Sequence, residues 1–108
     1  MDAQPSKVIL TSRPDHKPGA YVLKSHYLAV SSFILSRLKV REAMRLEELI
    51  DEIKTIQLGP GIDLIWIFLQ VKSDLAAKKI ITINLIGPHR IQIVALSQVK
   101  RSWWVPRD

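Results

Sequence analysis

The sequence predicts an α+β domain in which three helices are followed by a β-hairpin. Three observations predict it. Apolar residues recur at steps of three and four over residues 25–38 and again over residues 45–56. A third and longer apolar segment starts at Ile62, just after Gly59-Pro60-Gly61, and turns polar before Lys79. Two β-branched runs, residues 80–85 and 91–96, flank Ile86-Gly87-Pro88-His89-Arg90. With 108 residues, 47% hydrophobic and 24% charged, the chain has the size and balance of one globular domain.

Residues 7–11 are β-branched and apolar, which suits a short strand or an arm lying across the core. Residues 12–19 hold Pro14, Pro18 and Gly19 and read as a loop, so residues 1–19 form an N-terminal arm and loop. The first helix is expected from Ser25, a competent N-cap, to Leu38, with Tyr27, Val30, Ile34 and Leu38 on its inner stripe. Residues 39–44 connect it to the next helix, and Ala43-Met44-Arg45 suits one short strand. The second helix covers residues 45–56. Leu46, Leu49, Ile50 and Ile53 face inward, whereas Glu47, Glu48, Asp51 and Glu52 form a solvated face. The third covers residues 62–79 with Leu64, Phe68, Val71 and Leu75 inward. Residues 64–69 are apolar all round, which a buried strand also satisfies. The length of the segment and the polar Gln70, Lys72, Ser73 and Asp74 favour a helix. Residues 97–108 are a basic and aromatic tail containing Trp103-Trp104.

Three helices, the third the longest, running into a hairpin with a Gly/Pro tip match the order of a winged helix-turn-helix, the hairpin being the wing. The stretch Trp66-Ile-Phe-Leu-Gln-Val-Lys-Ser-Asp-Leu-Ala-Ala-Lys-Lys-Ile-Ile81 resembles the tryptophan-led third helix of a group of small bacterial winged-helix-like proteins, a domain of unknown function. Val71, Lys72, Asp74, Leu75, Ala77 and Lys78 match that group's pattern, and residues 25–38 are similar to its first helix. The resemblance covers roughly residues 20–96 and implies the fold, with no activity attached. Two positions depart from the pattern. Lys79 stands where the group has glycine, so the helix must close without its easiest residue. Leu69 and Gln70 replace small polar residues and make the outer face greasier.

The formal charge of +6 is unevenly placed. Residues 76–107 contain Lys78, Lys79, Arg90, Lys100, Arg101 and Arg107 and no acidic residue. A surface of that sign attracts polyanions. The expected function is therefore DNA binding of a transcription-regulator-like kind with weak sequence specificity. Gln70, Lys72 and Ser73 would face bases from the third helix, and Lys78, Lys79, His89, Arg90, Lys100 and Arg101 would contact phosphates from the wing and tail. The alternative is a protein-interaction or dimerisation module without DNA binding. A helix apolar around its circumference needs a cover, either the chain's own Trp103-Trp104 or a second copy in a homodimer, with Ile65, Trp66, Ile67 and Leu69 in the seam.

Catalysis is not expected. His16, His26 and His89 share no metal-ligand spacing, and no phosphate-binding loop or nucleophile motif is present. No cofactor, metal or small-molecule ligand is expected. The absence of cysteine suits a reducing cytoplasm, and the most apolar stretch, residues 62–71, is about half the length that crosses a bilayer. A cytoplasmic protein without a membrane partner is therefore expected.

Overall fold

The computed structural model describes residues 7–97. Its elements in chain order are β1 (Val8–Ser12), β2 (Pro18–Leu23), α1 (Lys24–Arg41), β3 (Ala43–Arg45), α2 (Leu46–Ile53), α3 (Leu64–Ala77), β4 (Ile81–Ile86) and β5 (Ile91–Leu96). The architecture is α+β, three helices with two small antiparallel sheets. One sheet is the β1–β2 hairpin, and the other has the strand order β3-β5-β4.

The strand expected near residues 7–11 is present, but it is one arm of a hairpin with β2 rather than part of an arm and loop. Pro18 stands at the first position of β2, where a missing N–H is tolerated. Gly19 comes next because a Cβ there would overlap Thr11 Oγ1 across the ladder. Thr11 Oγ1 instead accepts a 3.0 Å bond from the Ala20 N–H. Alternation then sends Ile9, Thr11 and Val22 inward and leaves Val8, Leu10 and Tyr21 outside.

The hairpin feeds α1 directly, and the Lys24 N–H donates to Lys7 O (2.9 Å). Backbone pairing thus satisfies the first amide of the helix, and Ser25 does not cap it. Tyr27, Val30, Ile34 and Leu38 are buried as their spacing requires. The helix runs to Arg41, past Leu38. It ends where Glu42 turns left-handed (φ 69°) and donates its N–H to Leu38 O at 2.8 Å.

The second helix is shorter than its pattern suggests. It starts with the Arg45 N–H donating to Glu48 Oε1 (3.1 Å) and ends at Ile53, after which Thr55 and Ile56 close single turns onto Glu52 O and Ile53 O. The third segment is a helix throughout residues 64–77, which removes the strand alternative. Asp63 caps it, its Oδ1 accepting from the Trp66 N–H at 3.0 Å. At its other end Lys79 N–H donates to Ala76 O (3.0 Å) and Ile80 N–H to Leu75 O (2.9 Å), with Lys79 left-handed at φ 62°. This is the Schellman closure that glycine favours, here made by lysine at a backbone cost of about 1 kcal/mol.

The core gathers Val30, Ile34 and Leu38 from α1, Leu49 and Ile53 from α2, Phe68, Val71 and Leu75 from α3, and Met44, Ile81 and Val94 from the three-stranded sheet. Each such side chain contributes about 1.5–3 kcal/mol through burial. The β1–β2 hairpin packs on α3 and α1, distant from α3 in sequence but adjacent to it in space. No helix among the described residues is long and apolar enough to cross a membrane.

Candidate partner surfaces around α3 and the β4–β5 hairpin

Helix α3 has three distinct sides. Ile67, Phe68, Val71 and Leu75 enter the core. Ile67 is 6% exposed, so it belongs to the chain's own interior and not to the partner seam that its place in an apolar run predicts.

The second side meets the β1–β2 hairpin through Asp74, which is fully buried. Its Oδ1 accepts from the Ser12 N–H (2.8 Å), and its Oδ2 accepts from the Tyr27 hydroxyl and from Lys78 Nζ (2.8 Å). Burial alone would raise the carboxyl's pKa. The bonds from Lys78, Tyr27 and Ser12 outweigh it and hold the group below the usual carboxylate range. Burial, and then the bond to Asp74, push Tyr27 up. One carboxylate thereby joins the hairpin, α1 and α3. On sequence alone Asp74 counts among the polar residues that end an apolar run. Its spacing of one turn from Lys78 and three residues from Val71 is the signal that could have marked it.

The rest of the circumference carries the expected readout set, divided: Gln70 and Lys72, two positions apart, project to nearly opposite sides of the helix. Gln70, Lys72 and Ser73 are all half-buried, as are Ile65 and Leu69. Burial lowers the Lys72 pKa. Trp66 is 43% exposed and borders a shallow groove of about 250 Å³ with Tyr21, Leu23, His26 and Ile62. Tyr21 is 67% exposed and stands opposite Leu10 on the outer face of the hairpin. This end of α3 is thus apolar, with Asp63 its nearest charge.

The expected phosphate contacts separate into two groups. Lys78 and Lys79 lie at the base of the β4–β5 hairpin, while His89 and Arg90 lie at its tip, about 17 Å away by strand rise. Lys78 is engaged by Asp74 and also lies over the Tyr27 ring, 5.7 Å from its centroid. Lys79 and Arg90 are exposed, form no ion pair with another described residue, and both hold positive φ. At the tip a depression of about 400 Å³ brings Arg45 and Glu47 beside His89 and Arg90. At the base, unanticipated, the β1–β2 turn presents Arg13, His16 and Lys17 next to Ala77 around a depression of about 430 Å³. Arg13 is paired with Asp15 there at 2.7 Å.

Lys100, Arg101, Trp103 and Trp104 lie outside the described residues. Among the described residues, no cluster of three or more His, Asp or Glu side chains is placed to hold a metal ion. Comparison with protein-family models, with curated proteins and with solved structures gives no match.

Proposed function

We propose that this chain is a winged-helix nucleic-acid-binding protein that holds DNA through phosphate contacts and reads little sequence. The order α1-β3-α2-α3-β4-β5, with β3 beside β5, supports the winged-helix reading. The observation that carries the function is the sorting of charge. Glu48 and Glu52 of α2 are engaged by Arg37 and Arg41 of α1 (2.9–3.5 Å), Glu47 by Arg45, and Asp74 by Lys78. Glu48, Glu52 and Asp74 are thus engaged within the scaffold. The β4–β5 hairpin has no acidic residue and keeps Arg90 at its tip and Lys79 at its base in solvent. A surface so arranged binds a polyanion by counterion release, which carries no sequence information.

Fluorescence anisotropy with a generic labelled duplex tests this. Affinity should fall steeply between about 50 and 200 mM salt. It should fall further when Arg90→Ala is combined with Lys79→Ala. Absence of binding at low salt, or binding that the double variant leaves intact, overturns the proposal.

A second reading, self-association into a homodimer, is favoured by one observation: Tyr21 and Trp66, large and exposed, share an apolar groove. Sedimentation of the wild type against Trp66→Ala decides it, a strict monomer excluding this reading.

A further inference from the structure

Strand β4 is the outer strand of its sheet, and among the described residues β5 is its only strand neighbour. The Ser97 N–H donates to Ile80 O (2.9 Å), in the same register as the pairs Thr82↔Ala95 and Asn84↔Ile93. Bonded pairs recur at every second residue of an antiparallel ladder. Thr82, Asn84 and Ile86 therefore turn their backbone groups to β5, and Ile81, Ile83 and Leu85 turn theirs to the open edge. Ile81 is 1% exposed, so the reachable edge is that of Ile83 and Leu85. Their side chains share the face that enters the core, yet Leu85 is 47% exposed because the core does not extend to it.

Edge strands are blunted by charge, proline, a bulge or shortness. The β1–β2 ladder has Pro18 and a register shift between Leu10 and Ser12, and β3 has three residues and ends in Arg45. Strand β4 has six residues in unbroken register, with no charge and no proline. Nothing in its sequence discourages another strand from pairing with it.

We propose that β4 pairs antiparallel with β4 of a second copy about a twofold axis at Asn84, joining the two three-stranded sheets into one. The edge is its own complement. With Asn84 opposite the partner's Asn84, Ile83 stands opposite the partner's Leu85 and Leu85 opposite the partner's Ile83, so the outward N–H and C=O groups of each copy meet those of the other. Leu85, uncovered in its own chain, then lies beside the partner's Ile83, at the rim of the partner's core. On the other face Thr82 meets the partner's Ile86, which is 50% exposed in the single chain. One axis thus satisfies both the backbone edge and the exposed apolar side chains, which singles out a second copy among the strands that could add there. The proposal deepens the self-association reading and moves its seam from the Tyr21–Trp66 groove to β4; it does not depend on DNA binding.

Substitution at the axis tests it in the full chain. Asn84 is exposed, so a charge there spares the single chain. Asn84→Lys sets two ammonium groups face to face and should weaken the dimer about tenfold in sedimentation, with far-UV circular dichroism unchanged. Asn84→Asp should do the same, and an equimolar mixture of the two variants should recover a dimer. The chain has no cysteine, and Cα atoms opposed at such a non-bonded position lie about 4.5 Å apart, within disulfide reach. Asn84→Cys should therefore cross-link to its own copy under mild oxidation, whereas His89→Cys, equally exposed and distant from the axis, should not. Should a charged variant fail to fold, the cross-linking decides, and equal yields from the two cysteine variants overturn the proposal. A strict monomer overturns this seam and the groove reading together. A dimer that Asn84→Lys leaves intact and Trp66→Ala dissolves overturns the β4 seam alone. Loss in both charged variants without recovery on mixing overturns the axis at Asn84.

Discussion

The two hairpins of this protein are of similar length and are held in opposite ways. The β1–β2 hairpin is closed on itself at its turn, where Asp15 pairs with Arg13 and accepts from the Lys17 N–H (3.2 Å). It is fastened to the helices by Ser12 through Asp74. The β4–β5 hairpin pairs with β3 and packs on the helices through Ile81 and Val94, and its outer half has no such fastening. Its tip closes with an Arg90 N–H bond to Gly87 O (3.1 Å), and Leu85, Ile86, His89 and Arg90 stand in solvent. Polar bonding in the first serves cohesion. Charge in the second stands in solvent.

The sharpest way to break this contrast is to remove the carboxylate. Asp74→Ala leaves the Tyr27 hydroxyl and the Ser12 N–H without their acceptor in a buried place, and should cost about 3 kcal/mol or more in urea denaturation. Tyr27→Phe should cost less, about 1.5 kcal/mol, and the two losses should not add, which a double-mutant cycle will show.

pH probes the same group. The folded pKa of Asp74 lies below its unfolded value, so its contribution is fully present above the unfolded pKa of about 3.9 and is lost as pH falls through the folded one. Stability measured by circular dichroism should drop across that acid window, and Asp74→Asn should flatten the drop.

Gly19→Ala attacks the hairpin from its ladder. The added Cβ meets Thr11 Oγ1 and Thr11 backbone, and the variant should lose about 1–3 kcal/mol in thermal unfolding.

On the other hairpin, Arg90→Ala should leave unfolding unchanged while reducing the salt slope of the proposed DNA binding by about 1. Lys78→Ala, whose ammonium faces Asp74, should alter that slope far less.

The smallest effect is expected at the helix end. Lys79→Gly relieves a left-handed backbone and should stabilise the protein by about 0.5–1 kcal/mol. The same change should weaken the proposed DNA binding.

Much of the scaffold was legible because periodicity reports burial. The stripe Tyr27-Val30-Ile34-Leu38 and the run Phe68-Val71-Leu75 occupy the core as spacing alone requires. Strand β2 is hidden in the sequence because Pro18-Gly19 is ordinary turn chemistry, and its role as a strand entry depends on Thr11 across the ladder, which no local window contains. Asp74 is hidden for the same kind of reason. A carboxylate on a helix reads as solvated until the hairpin that buries it is in place. Lys78, Lys79, His89 and Arg90 are near neighbours in sequence, yet an intervening strand carries the last two to the opposite end of the sheet. A single charge tally could not separate them.

The bond from Ser12 to Asp74 spans 62 residues. During synthesis the β1–β2 hairpin therefore emerges well before the helix that secures it, and ordering it requires closure of that long loop. Until α3 is made, the inward side of the hairpin, Ile9 and Val22, lacks the finished core it packs against. This hairpin leaves the ribosome ahead of all three helices and is locked only after the last of them, and the nascent chain carries an adhesive surface through that interval.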